Sequence, residues 1–246
     1  MKQLNITKTE IVEKTIQLYK KSSFYKDEIQ LYTLKNQNQT LENSDINANI
    51  KIFFRRNDVS FKFFYVENNS HPSLRFITCI IGKNNIFKMN NDLISEKGSY
   101  TTLEDINSAV QNCRENQYIL PLLMLDETNK LHPFTDSKDN INLVGEEKIE
   151  QKDCYKLVQE IHKEVTTEEI KELIEFKESV STKMGVKIPT PNLEAKKYVE
   201  IITYWIDKND FYIKKIENES TYFNSRNILI FNPIFDQNLD NSLFDN

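Results

Sequence analysis

The sequence predicts a mainly β, α+β fold: one domain on a curved antiparallel sheet with a few helices laid against it. Two observations carry this. From Asp27 onward, short runs of β-branched and aromatic residues alternate with polar clusters, the pattern of consecutive antiparallel strands. Residues 198–217 read as a hairpin, with arms at 198–206 and 211–217 and a polar turn at 207–210. A chain of 246 residues is long enough for one sizeable core that buries roughly 70–75% of the unfolded surface.

Taken in order, residues 7–21 read as a helix. Thr7 and Glu10 have capping-box spacing, and Ile11, Val12, Thr15, Ile16 and Tyr19 recur on one stripe that should pack on the sheet. Strands are expected at 27–35, 47–56, 59–67, 73–82 and 84–91, with tight turns at 57–58 and 82–85. Ile50, Ile52 and Phe54 share one face, as do Phe61, Phe63 and Tyr65, and as do Leu74, Phe76, Thr78 and Ile80. Phe53, Phe64 and Ile77 add apolar groups to the opposite face, so both faces of the sheet should be covered. A helix follows over 102–115, with Leu103, Ile106, Val110 and Cys113 on one stripe. Pro121 then argues for a loop or short helix packed into the core within 118–125.

Residues 141–149 and 153–162 form another strand pair. A charged helix spans 166–183, opened by Thr166 and Glu169 and carrying Ile170, Leu173, Ile174 and Lys177 along a narrow stripe. It ends at Gly185 and a proline linker. A last strand covers 227–231, and an acidic stretch follows. No internal repeat and no second domain are seen.

Composition excludes several classes. Net charge is -5 and pI is about 5.4, so no positive field gathers nucleic acid. The first residues lack the apolar stretch of a secretory signal, and no window approaches a membrane span. The chain as written is therefore expected to be soluble and cytoplasmic, or periplasmic or envelope-located if a signal segment has been removed. Cys79, Cys113 and Cys154 are far apart and form no metal or redox motif. Four glycines, at 82, 98, 145 and 185, cannot build a dinucleotide, phosphate-binding or nucleophile-elbow turn. His71, His132 and His162 stand alone. The carboxylate pairs Glu146–Glu147, Glu168–Glu169 and Glu104–Asp105 are read as solvated charges, and Asp207 and Asp210 as turn residues. No catalytic residue, metal or cofactor is expected.

Aromatic residues at alternating positions rise above this background: Phe54, Phe63, Tyr65, Phe76, Phe87, Tyr204, Trp205 and Phe211. They are either ordinary core or the lining of a cavity for an apolar ligand.

These strands also carry a family resemblance. It runs through Ser22-Ser-Phe-Tyr-Lys-Asp-Glu28, Ile52-Phe-Phe-Arg-Arg56, Leu74-Arg75-Phe76 leading to Gly82, and the pair Leu143-Val-Gly-Glu-Glu147 and Asp153-Cys-Tyr155. It continues through Tyr204-Trp-Ile-Asp-Lys208, Phe211-Tyr-Ile-Lys-Lys-Ile216 and Asn232-Pro. In this order they resemble the LolA/LolB-like superfamily of periplasmic lipoprotein carriers. The resemblance implies one domain over 1–246: a strongly curved, unclosed antiparallel barrel with helices over its concave face, taking acyl chains in the gap. It departs from the family at Asn57, where a proline is usual, and at 164–196, which reads as a helical insertion with a proline linker; 234–246 read as an acidic tail. The function expected is non-enzymatic binding of a lipid, acyl chain or hydrophobic or acylated polypeptide. The alternative is a protein–protein interaction or inhibitor protein, of the immunity type, with a solid core. The oligomeric state is left open.

Overall fold

The structure is a computed structural model that describes residues 6–34, 39–41, 44–56, 60–67, 76–81, 86–91, 95–99, 120–124, 134, 140–184, 194, 196–222 and 225–237. For the strands between 60 and 99, and for positions 122, 176, 177, 180–184 and 225, the description is of the backbone. The expected helix over 102–115 and the turns at 57–58 and 82–85 lie outside the described residues.

The chain runs α1 (Lys8–Lys21), β1 (Phe24–Leu34), β2 (Ala48–Arg55), β3 (Ser60–Glu67), β4 (Phe76–Ile81), β5 (Ile86–Asn91), β6 (Ser95–Ser99) and α2 (Leu120–Leu123). It continues with β7 (Ile141–Ile149), β8 (Lys152–Val165), α3 (Thr167–Met184), β9 (Lys196–Asp207), β10 (Ile213–Ser220), β11 (Ser225–Ile230) and β12 (Ile234–Phe235). One antiparallel sheet takes all the strands in the order β6-β5-β4-β3-β2-β1-β11-β10-β9-β8-β7, and β12 pairs with the start of β1. The path is open, with β6 and β7 at its ends, so the sheet is an unclosed one. Bulges between Phe76 and Thr78, Leu143 and Gly145, and Ile213 and Lys215 sharpen its twist. Gly145, at φ 155°, sits in one of them in a conformation that side-chain-bearing residues rarely adopt.

The capping box of α1 forms in both directions: Thr7 Oγ1 accepts from the Glu10 amide, and Glu10 Oε2 accepts from the Thr7 amide at 2.8 Å. Ile11, Val12, Thr15, Ile16 and Tyr19 are buried as their spacing predicts. The helix ends at Ser22, which is extended, and Arg56 Nε closes the end by donating to the Ser22 carbonyl at 2.7 Å. Across the sheet, Lys8 Nζ donates to the Ile141 carbonyl and the Ile213 amide donates to Tyr19 Oη. The helix therefore lies over the concave face from β7 to β10 and β1.

The core beneath α1 combines Tyr25 and Ile29 of β1, Ile50, Ile52 and Phe54 of β2, Leu157 of β8, Tyr204 and Ile206 of β9, and Phe231. Leu120, Leu123 and Met124 join it, so the proline-containing segment is a short helix in the core. Each large side chain taken fully out of water contributes roughly 1.5–3 kcal/mol. A smaller cluster of Tyr32, Leu34, Ile228 and Ile230 lies on the convex face under Leu41 and Ile46, so this part of the sheet is covered on both sides. Strand β12 and Asp236 also belong to the fold: Phe235 packs edge-on to Tyr19 and Tyr25, and Asp236 Oδ1 accepts from the Ser23 amide at 2.7 Å. The first residues of the expected acidic tail, 234–236, are thus tied to the start of β1.

Candidate ligand-binding face

The register of the sheet decides which aromatic positions can act together, because directly opposed residues in an antiparallel pair share a face. Phe54 pairs with Tyr25 on one side and Phe61 on the other; Phe61 pairs with Ile81, and Ile81 with Phe87. A second row runs Asp27, Ile52, Phe63, Cys79, Met89, and a third starts at Ile29, Ile50, Tyr65. Each row begins at side chains buried on the concave face in β1 and β2. Simple alternation groups Phe76 with Thr78, yet the bulge between them pairs Phe76 with Asn91 and Thr78 with Asn90, changing the parity at Phe76. Phe63, Tyr65, Phe76 and Phe87 are placed by backbone register; their side chains lie outside the described ones.

Of the other four candidates, Phe54 and Tyr204 are in the concave core. The Tyr204 ring lies 5.0 Å from that of Phe134, and its hydroxyl donates to Gln159 Oε1 at 3.1 Å; burial pushes its pKa up. Phe211 is half-buried at the rim, stacked on Tyr155, with Lys14 of α1 4.6 Å above its ring. Its φ of 61° is the left-handed conformation that closes the turn after Asp207.

Trp205 is on the other face. Its neighbours in the register are Lys156 and Lys215, whose ammonium groups stand 5.2 and 4.0 Å from its ring centroid, and its Nε1 donates to Glu147 Oε2 at 3.1 Å. Tyr204 and Trp205 are consecutive in an extended strand and cannot line one cavity. Trp205 is a convex-face residue held in a charged clamp.

Among the described residues the concave face from β2 to β8 is filled by side chains of α1 and α2. An opening between the start of α1 and Ile141, lined also by Val12 and Glu13, has a volume of about 10 Å³, room for one water at most.

One polar group within this core was not legible as a site residue. Asp27 is fully buried; its Oδ1 accepts from the Asn232 amide at 2.7 Å and its Oδ2 from the Tyr25 hydroxyl. Burial raises its pKa to about 7, against the pull of the hydrogen bonds from Tyr25, Asn232 and Glu28 and of the Lys214 charge. The available signal was the alternation Tyr25, Asp27, Ile29, which places an acid on an otherwise apolar face. Reading the strand as starting at Asp27 hid it.

The remaining candidates are held structurally. Asp207, also buried, accepts the Asn209 and Asp210 amides on Oδ1 at 2.9 Å each and faces Lys152 Nζ at 3.5 Å. Glu146 and Glu147 point to opposite faces, toward Lys208 and Lys156. Glu169 caps α3, and His162 is exposed beside Glu160. Burial pushes the Cys154 thiol up to about 11, which makes it a poor nucleophile. Among the described residues no three metal-ligating side chains converge, and no helix is long and apolar enough to cross a membrane.

No family model matches the chain, and no curated protein matches it either. Solved structures similar to it include the lipoprotein LppX of Mycobacterium tuberculosis, at 8% identity and a TM-score of 0.43 over 94% of this chain and 95% of that one. LprF of Mycobacterium bovis is similar at 7% identity and a TM-score of 0.46, covering 94% and 93%. A LolA superfamily protein of Nitrosomonas europaea is similar at 11% and 0.37, covering 98% of each. At these identities and scores no residue role or ligand passes from them to this chain.

Proposed function

We propose that this protein binds an apolar ligand, a lipid, acyl chain or hydrophobic peptide, against the β3–β5 part of its concave face, and that it catalyses no reaction. The observation that carries this is the continuity of the pairing rows: the buried apolar positions of β1 and β2 continue in register through Phe61, Phe63, Tyr65, Ile81, Phe87 and Met89. The other half of the concave face is occupied by α1, whose contacts run from β7 to β1. An extended apolar wall is what a lipid tail requires, and burying one CH₂ against it gains roughly 0.8 kcal/mol. The carboxylates described above are engaged in caps, turns and ion pairs, which favours binding over acid–base chemistry.

Native mass spectrometry of protein purified from cells is expected to reveal co-purifying lipid. A fluorescent fatty acid should bind, and Phe63→Ala should weaken it about tenfold, the worth of roughly 1.4 kcal/mol. Trp205→Phe, on the convex face, should leave that binding unchanged. Protein free of lipid that also ignores the probe removes this reading. Whether the binder works in the cytoplasm or the envelope is read by fractionating cells and blotting for the protein.

A further inference from the structure

The charges of strands β2 to β6 are sorted by face. These strands hold five cations, Lys51, Arg55, Lys62, Lys88 and Lys97, and two carboxylates, Glu67 and Glu96. Glu67 pairs with Ala48 and Glu96 with Met89, which places both carboxylates in the concave rows. All five cations have the opposite parity. Lys51 and Arg55 alternate with Ile50, Ile52 and Phe54. The other three take their face from one continuous row of pairs, Lys26, Phe53, Lys62, Ile80, Lys88 and Lys97. That row crosses the convex side of β1 to β6, a span of about 24 Å at the usual strand spacing.

Such a row does not stabilise a sheet. Lys88 and Lys97 are directly opposed, an arrangement of like charges that weakens a strand pair. At the β1 border Glu28 serves Lys51 at 3.3 Å and Lys26 at 4.0 Å, and Arg55 is buried. The positions that the register leaves without an acidic neighbour are therefore Lys62, Lys88 and Lys97. They lie one or two strands apart, which is about a Debye length or less at physiological salt. Their fields add locally, although the chain as a whole carries a net charge of -5.

An occupant of this face must be anionic and must also meet the apolar positions between the cations. Phe53 and Ile80 lie in the row itself, and Phe64 and Ile86 beside it with the same parity. A bilayer surface rich in anionic lipid offers both, with phosphates for the lysines and an apolar layer just beneath them. Single-stranded nucleic acid is held in a basic groove with stacking aromatics, and a convex face has no groove. An acidic peptide would leave the apolar positions uncovered. The choice of a bilayer rests in part on the reading of the opposite face of β3–β5 as a lipid site, since such a ligand comes out of a membrane.

We propose that the convex face of β2–β6 docks on an anionic membrane surface through Lys62, Lys88 and Lys97, with Phe53 and Ile80 entering the headgroup layer between them.

Flotation of the full chain with lipid vesicles tests this. Vesicles of about 30% phosphatidylglycerol in phosphatidylcholine should retain the protein, pure phosphatidylcholine should not, and raising salt from about 50 to about 300 mM should release it. The triple variant Lys62→Gln, Lys88→Gln, Lys97→Gln should weaken retention at least about thirtyfold. The same three positions changed to arginine should keep it. Lys148→Gln, Lys171→Gln and Lys197→Gln together make the same change of net charge at exposed positions elsewhere and should weaken it no more than about threefold. The first variant should melt no lower than the parent, because the opposed lysines are relieved. Should it fail to fold, Lys97→Gln alone, on the edge strand, should weaken retention about fivefold. Binding of the fluorescent fatty acid without vesicle retention strikes the docking face alone, and retention without that binding strikes the concave site alone. Equal retention on the two kinds of vesicle, equal losses in the two glutamine triples, or no retention overturns the proposal. So does a single-stranded DNA oligonucleotide that binds more tightly than the vesicles and loses affinity in the first variant, which would make nucleic acid the occupant.

Discussion

Asp27 holds its proton to about pH 7 because desolvation outweighs three hydrogen bonds and the Lys214 charge, and this ties the stability of the sheet to pH. An unfolded aspartate loses its proton near pH 3.9. The folded state therefore keeps a proton that the unfolded state gives up, and stability is full below about pH 4, falls as pH rises to about 7, and is level above. The whole fall is on the order of 4 kcal/mol, and Asp27→Asn should remove the slope; urea titrations at half-unit intervals from pH 4 to 8 measure both. Trp205 gives a second residue-scale expectation. It is the single tryptophan of the chain and is buried in its clamp of two lysines, so its emission should be blue-shifted and should redden on unfolding. Filling the concave face should leave the emission unmoved, because the ring lies on the other side of the sheet. Trp205→Ala should cost roughly 3 kcal/mol by the same urea titration.

At the scale of elements, local chemistry decides what could be read in advance. The helices at 8–21 and 167–184 were legible because cap and stripe agree, and both caps form as their spacing predicts. The hairpin at 196–220 was legible because Asp207 is a turn residue with a mechanism: its carboxylate takes two amides of its own turn. Asp207→Ala strands those amides and leaves Lys152 without its buried partner, so a loss of roughly 2–3 kcal/mol in equilibrium unfolding is expected. Strand β6, Ser95–Ser99, was not legible. Ser-Glu-Lys-Gly-Ser has no strand propensity and is extended only because β5 offers it a ladder. The site was half legible for a related reason. Alternation finds which positions are aromatic, but the face they share depends on parity. A bulge changes parity at Phe76, and adjacency alone puts Tyr204 and Trp205 on opposite sides.

Over the whole molecule, the sheet is a meander of β2 to β6 on one side of β1 and a second run from β11 back to β7 on the other. Within the sheet the two wings are joined through β1, which pairs with β2 on one side and β11 on the other. A circular-dichroism melt should separate two deletions accordingly. Replacing residues 166–195 by Asn-Gly, a favoured two-residue hairpin turn between Val165 and Lys196, should leave one cooperative transition with stability changed by less than about 1 kcal/mol, since nothing described in α3 is buried. Removing the chain from Ser225 onward should abolish the cooperative transition, because β1 and β10 both lose β11. The junction of β1 with β11 also sets a timetable for a ribosome. Leu34 finds its register partner at Arg226, and at synthesis rates of about 5–20 residues per second roughly 10–40 seconds pass between the two emerging. Through that interval one side of β1 is an open ladder, and a nascent chain of this protein is expected to need shielding by a chaperone until its penultimate strand arrives.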